Sequence, residues 1–216
     1  MLLQLRIDLP DRPGSLARVG RVLGALGADI RAMNVLDHIG ARVIDEFTVE
    51  WSNYPGDDRL AQALTAVPGV VLQGAWRTLA RPDAFPDLDV LLHVKAQPER
   101  AVQTLVDALP GALNADWAVV LATGPERTTI AASPDAPEDS LPDIRPTHPL
   151  AFSSGPGIHL AAVPTPGATV YVARSSGGPL FHRVELARLT RLVEVACAIA
   201  GTGALRSPAR ERAHSG

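Results

Sequence analysis

Residues 8–37 read DLPDRPGSLARVGRVLGALGADIRAMNVLD, and the fold follows from this stretch. PDRPG at 10–14 breaks a strand: Pro13 fixes one dihedral and lacks a donor, and Gly14 permits a turn that a side chain would obstruct. Apolar residues then recur at helical spacing from Ser15 to Leu26 through Leu16, Val19, Leu23 and Leu26, with Arg18 and Arg21 on the wet side. Gly27 stops that helix, and a second strand is expected over 29–37. Upstream, residues 2–9 alternate: Leu3, Leu5, Ile7 and Leu9 share one face, Gln4, Arg6 and Asp8 the other. Downstream, His38, Ile39 and Gly40 make a tight connection to a third strand over 42–51. Val43, Phe47, Val49 and Trp51 are in phase there, with Asp45 the polar exception. Asp57 or Asp58 caps a short helix presenting Leu60, Ala63, Leu64 and Val67, and a fourth strand is expected over 70–76. Strand, helix, strand, strand, helix, strand predicts an antiparallel sheet with both helices on one face. Leu2, Ile30 and Ile44 are expected to give the other face an apolar surface for a second domain or chain.

Beyond this unit, 77–87 read as a linker, and 88–94 as a short strand or the entry to the next unit. Pro98 or Glu99 opens a helix carrying Ala101, Val102, Leu105, Val106 and Leu109, with Pro110-Gly111 as its stop. Strands are expected over 116–123, 127–132, 157–163 and 168–174, and a closing helix over 182–200 with a broad apolar stripe. Gly124-Pro125 and SSGGP at 175–179 read as turns, and five prolines over 133–150 predict a long mobile loop. The expected organisation is therefore 1–77, a joining segment 78–95, a second domain 96–202, and an unstructured tail 203–216.

The chain has 216 residues, a net charge of -3 and 46% hydrophobic content, enough for one or two domains with real cores. Without clustered excess base, nucleic acid and anionic membrane are not expected partners. No stretch has the roughly 18 apolar residues of a membrane helix, and the strand-like start resembles no signal peptide. With one cysteine, Cys197 in the apolar run VEVACAIA, no internal disulfide can form. These features predict a cytoplasmic protein, with Cys197 a buried thiol. Catalytic patterns are missing. No GxSxG occurs, and His38, His93, His148, His159, His182 and His214 are scattered without a metal spacing. No cofactor or metal is expected, and an enzyme is the last choice.

The first domain resembles an ACT domain through DRPGSL, the helix and GADI, over about residues 1–77. That resemblance implies a ferredoxin-like βαββαβ regulatory module that pairs through sheets or helices and binds amino acids. Its ligand would be held by the loop after the first strand and the start of the second. The second domain more weakly resembles a GAF domain, a small antiparallel α/β sandwich, in ADWAVVLATG, HPLAFSSG and the last sixty residues' ATVYVARSSGGPLFHRVELARLTRLVEVACAIA. It implies a sensor or dimerisation module, although its middle is short and proline-rich. The fold class expected is α+β throughout.

Physically, the amides that begin the first helix lack intrahelical partners and suit a carboxylate. Ser15 supplies a hydroxyl or a cap, and Asp11 and Asp29 are candidates for an ammonium group. The candidate ligand residues are Asp11, Arg12, Pro13, Gly14, Ser15, Leu16, Asp29, Ile30 and Asn34. Asn34 faces either the ligand or solvent, and Asp45 and Glu46 are expected to be solvated. The same loop is also a good strand-to-helix turn with Ser15 or Asp11 as a cap. The favoured function is a non-catalytic homodimeric regulator binding an amino acid or similar zwitterion, with output through a protein partner. The alternatives are an interaction module without ligand, or a sensor whose pocket lies in the second domain.

Overall fold

The computed structural model describes residues 1–78, 85–124, 128–138, 143–155, 157–174 and 177–201. The expected tail over 203–216 lies outside the described residues, as do 79–84 of the expected linker, Pro125 of one turn and residues 175–176 of the other. The chain divides into two compact units, Met1–Pro82 with Ser176–Pro179, and Asp83–Ser175 with Leu180–Gly216.

The first unit runs β1 (Leu2–Pro10), α1 (Ser15–Ala25), β2 (Ala28–Ile39), β3 (Arg42–Trp51), α2 (Asp57–Thr65), β4 (Val71–Arg77). Its sheet is antiparallel in the order β2-β3-β1-β4, the ferredoxin-like arrangement. Period-2 alternation puts Leu3, Leu5, Ile7 and Leu9 of β1 against Val43, Phe47, Val49 and Trp51 of β3. Val19 and Leu23 of α1 and Leu60 and Leu64 of α2 close this core. Each such side chain contributes about 1.5–3 kcal/mol on burial. The inward stripe of α1 is Ser15, Val19 and Leu23, spaced by four. Leu16, expected inside, is 42% exposed. At four-residue spacing, the Ser15 phase excludes its neighbour from the same face.

The second face of this sheet is mixed, with buried polar groups beside Ile44 and Trp76, rather than the apolar surface expected. Gln4, Arg6 and Thr48 are buried there. The Thr48 hydroxyl donates to Gln4 at 2.8 Å, and Arg6 donates to Glu46 through Nε and Nη2 at 2.8 and 2.6 Å. The Arg6 guanidinium also lies 5.7 Å from the Trp76 ring centroid. Hydrogen bonding and pairing make such burial affordable. Ile44 is buried on this face, but Leu2 is only partly covered. By register, Ile30 opposes Val49 on the helix face instead.

The second unit runs α3 (Pro86–Ala96), a 3₁₀ turn (Pro98–Arg100), α4 (Ala101–Ala112), β5 (Trp117–Ala122), β6 (Thr129–Ala132), β7 (Leu150–Ser153), β8 (His159–Thr165), β9 (Ala168–Arg174), α5 (Arg183–Ala200). Its antiparallel sheet has the order β6-β5-β9-β8-β7. Residues 88–94, expected as a short strand or the entry to the next unit, lie in helix α3. Pro86 preorganises its first turn, Asp87 and Asp89 suit the positive end, and His93 and Lys95 suit the negative end. Val90 and Val94, four apart, are its buried face. Helix α4 passes Pro110 and ends at Ala112, because a proline in the last turn removes only one ladder donor. Strand β7, not expected as such, pairs with β8.

One sheet face packs on α3, α4 and α5 around Val120, Val163, Val170 and Val172. The other carries Trp117, Val119, Leu121, Leu160 and Tyr171, packed with Ala136 and Phe152. The Tyr171 hydroxyl donates to the Ile144 carbonyl, fixing a described part of the 133–150 segment. Arg174 is fully buried at the end of β9. It donates to the carbonyls of Asn114 and Leu113 and to Glu185 at 3.1, 2.7 and 2.6 Å, and stacks 4.2 Å over Phe181.

Candidate functional site

The site begins where β1 ends. The Asp11 amide donates to the Ala41 carbonyl at 2.9 Å, holding the loop against the β2–β3 hairpin. Gly14 takes φ 86 as the residue before α1, a left-handed conformation that costs glycine least. No side chain caps the helix, so Ser15 and Asp11 have no capping role. Ser15 donates its amide to the Arg12 carbonyl at 3.2 Å, and Arg18 donates to Gly14 at 3.2 Å. Between them, the Leu16 and Ala17 amides make no backbone bond among the described residues. These are the donors a helix start offers an anion. At the far end, the Trp51 indole donates to the Leu26 carbonyl at 3.1 Å. Helix α1 therefore starts at the β2–β3 hairpin end of the sheet and finishes beside Trp51.

Asp11 remains half-exposed and meets His38 Nδ1 at 3.3 Å. By register, His38 opposes Val43 and Val35 opposes Asp45, so both β2 residues are on the helix face. Asp45 itself, expected to be solvated, is 3% exposed. It lies in phase with Val43 and Phe47, opposite Ile7. Its Oδ1 is buried without a hydrogen-bond partner. Burial raises this carboxyl above the ordinary carboxylate range; the charge of His38 opposes the shift and that of Asp11 adds to it. Asp11, His38 and Asp45 thus gather at the start of α1. The signal for Asp45 was present in the sequence: an acid in the apolar phase of a strand.

Asp29 does not join them. It pairs with Glu50 near the opposite end of β2, on the face away from the helices. The twelve residues of β2 put it on the order of 30 Å from the Asp11 end. Its carboxylate already meets Arg31 at 3.1 Å, and Arg31 meets Glu50 at 2.6 Å. Ile30 is also at that far end, on the helix face and 39% exposed. Asn34 is exposed and opposes Glu46, on the face away from α1. Arg12, Pro13 and Gly14 are exposed in the loop, and Leu16 is exposed on the first turn. Glu46 is only partly exposed and is held by Arg6.

In the second unit an open groove of about 540 Å³ runs between α3 and α5, lined by Asp87, Leu91, Arg188, Arg191, Leu192 and Val195. Arg188 is closed onto Asp87 by two bonds of 2.7 Å, so its charge is already answered. His148 meets Thr147 at 3.4 Å, and His182 caps α5 by accepting from the Val184 amide. Cys197 is half-buried, with its thiol pushed up by burial and then by Glu194, the reverse of a nucleophile's environment. Among the described residues no group of three or more His, Cys, Asp or Glu is placed to hold a metal. No described helix is long and apolar enough to cross a membrane.

Residues 3–69 match the family model of the ACT domain. None of the curated proteins matches the chain. Among solved structures, a formyltetrahydrofolate deformylase from Pseudomonas putida KT2440 is 18% identical over 44% of this chain, with a TM-score of 0.31. This chain spans 38% of that deformylase. An unknown protein from Galdieria sulphuraria is 10% identical over 91% of each chain, with a TM-score of 0.31. The regulatory subunit of aspartate kinase from Thermus thermophilus is 14% identical over 90% of this chain and 92% of its own, with a TM-score of 0.27. At these scores the solved structures carry no argument about this chain.

Proposed function

We propose that the chain is a non-catalytic regulator whose first unit binds an amino acid at the loop 11–16. The observation that carries this is the pairing of unoccupied amides at Leu16 and Ala17 with the exposed carboxylate of Asp11. A zwitterion matches both: its carboxylate meets the helix start, and its ammonium meets Asp11. Arg12 is left to meet solvent or a ligand side chain. The ACT match over 3–69 supports a ligand-binding regulatory role for this unit.

The site is completed by a second copy. Strand β2 is an edge strand, with Ile30, Val35 and Ile39 exposed at 39, 48 and 52%. Its free edge can pair with the same edge of a partner. A two-fold antiparallel register centred on Asn34 sets Arg31 opposite the partner's Asp37, two unlike charges. It also sets His38 opposite the partner's Ile30, both on the helix face. The partner's Ile30 then walls the Asp11 loop, while the partner's Asp29 points to the far face. Ligand contacts with both copies would tighten the pairing, a population shift that a partner protein reads.

Titration calorimetry of the full chain against the twenty amino acids tests this reading. At least one is expected to bind, and Asp11→Ala is expected to weaken it about tenfold or more, the worth of a charge-assisted hydrogen bond. No heat and no thermal shift with any of the twenty would remove it.

A further inference from the structure

Asp45 is not explained by binding a simple zwitterion. It is 3% exposed, its Oδ1 has no hydrogen-bond partner, and it lies on the sheet face beneath α1. The elements around it offer little. β1 gives Ile7, and β2 gives Val35 and His38. The loop gives Asp11, which engages His38 at 3.3 Å, and Ser15 starts the inward stripe of α1 at the same end. Two carboxylates thus face one histidine, and Oδ1 of the deeper one has no donor. An unanswered carboxylate in an apolar floor costs stability, so a purely structural role gives no return. What satisfies it is a donor that also carries positive charge, delivered from outside the fold.

We propose that Asp45 is the counter-ion for a second cationic group on the ligand, so that the site takes an amino acid with a positively charged side chain. This rests on the amino-acid reading of the same loop. The ligand's carboxylate meets the Leu16 and Ala17 amides, its α-ammonium meets Asp11, and its side-chain cation reaches toward Asp45. The partner's Ile30 and Val35 of the same chain flank the methylene stem. Asp45 then acts as a filter: a neutral side chain of equal length leaves the acid buried and unanswered, and is rejected for that reason.

The test compares lysine, ornithine and arginine with norleucine, which has lysine's chain length but no side-chain ammonium. Calorimetry uses the full chain and its Asp45→Asn variant, with circular dichroism to confirm folding. At least one of the cationic ligands is expected to bind tenfold or more tighter than norleucine, and Asp45→Asn is expected to abolish that preference, weakening the cationic ligand and lifting the rejection of norleucine. If norleucine or another neutral amino acid binds as well as the cationic ones to the unaltered chain, the inference falls while the amino-acid reading stands. Equal preference in Asp45→Asn also overturns it. If none of the twenty binds, both fall together. The comparison on the unaltered chain decides the matter even if the variant does not fold.

Discussion

A carboxyl group placed in the core phase of a strand loses the water that keeps it ionised, and Asp45 shows the consequence. Its pKa lies above the ordinary 3.8, first through burial; His38 lowers it and Asp11 raises it. The sign of the pH dependence follows. Between the unfolded and folded pKa values the native state holds more protons, so stability falls as pH rises through that window. Below 3.8 the penalty is gone; above the folded value it is complete. Asp45→Asn, which removes the charge with little change of shape, is therefore expected to stabilise the unliganded protein at pH 7. The expected gain is about 1 kcal/mol or more, because a buried unpaired ion is costly. Thermal melts from pH 4 to pH 8 check this: the gain should shrink toward low pH, and an unchanged or lower melting temperature at pH 7 refutes it. The alternation that put Val43, Phe47 and Val49 inside also puts Asp45 inside, so its burial was legible from phase alone. The expectation of solvation followed residue type instead. Asp11 was legible as a loop acid, but its contact with His38 depends on the β2–β3 hairpin closing beside it, which spacing along the chain does not encode.

Elements with strong periodicity were readable; those without it were not. Strand β1 alternates throughout, β3 does so but for Asp45, and α1 ends at a glycine, so the first unit follows from local pattern. Helix α3 was misjudged because its run VLLHV is apolar on all sides, which suits a buried strand as well as a helix; Pro86 and the flanking charges were the better guide. The second unit's closing helix was legible, but not what anchors it. Glu185 sits three residues past the His182 cap and accepts from the His182 amide at 2.7 Å while also taking the buried Arg174 at 2.6 Å. This one carboxylate ties the start of α5 to the end of β9. Glu185→Ala removes the carboxylate that answers the buried Arg174 charge. It is expected to destabilise the protein by about 3 kcal/mol, the cost of breaking a buried pair. Urea denaturation measures it, and the pairing is diagnosed by the double replacement Arg174→Met with Glu185→Leu. The double variant should lose less than Glu185→Ala alone; a larger loss would assign the stability to packing rather than charge.

At the scale of the whole molecule, the candidate site poses a problem of reach that one chain does not solve. Asp11 and the start of β2 lie at opposite ends of the same strand, on the order of 30 Å apart. The proposed two-fold axis through the middle of β2 would exchange those ends, so that each copy would supply the wall the other lacks. No sequence pattern announces such an axis, because it relates residues of different chains. Register shifts in β2 between Ile30 and Ala32 and between Val35 and Asp37 interrupt this edge, an irregularity that works against an open-ended ladder. Val35→Lys alters only the exposed side chain and brings two like charges near the axis. Val35→Lys is therefore expected to raise the dimer dissociation constant at least tenfold, as read by sedimentation equilibrium, with circular dichroism unchanged. Ligand binding should weaken in parallel, because the partner's Ile30 departs and the replaced Val35 itself flanks the ligand. A Val35→Lys protein that sediments like the unaltered chain would exclude pairing through this edge. One that becomes monomeric yet binds its amino acid undiminished would confine the site to a single copy.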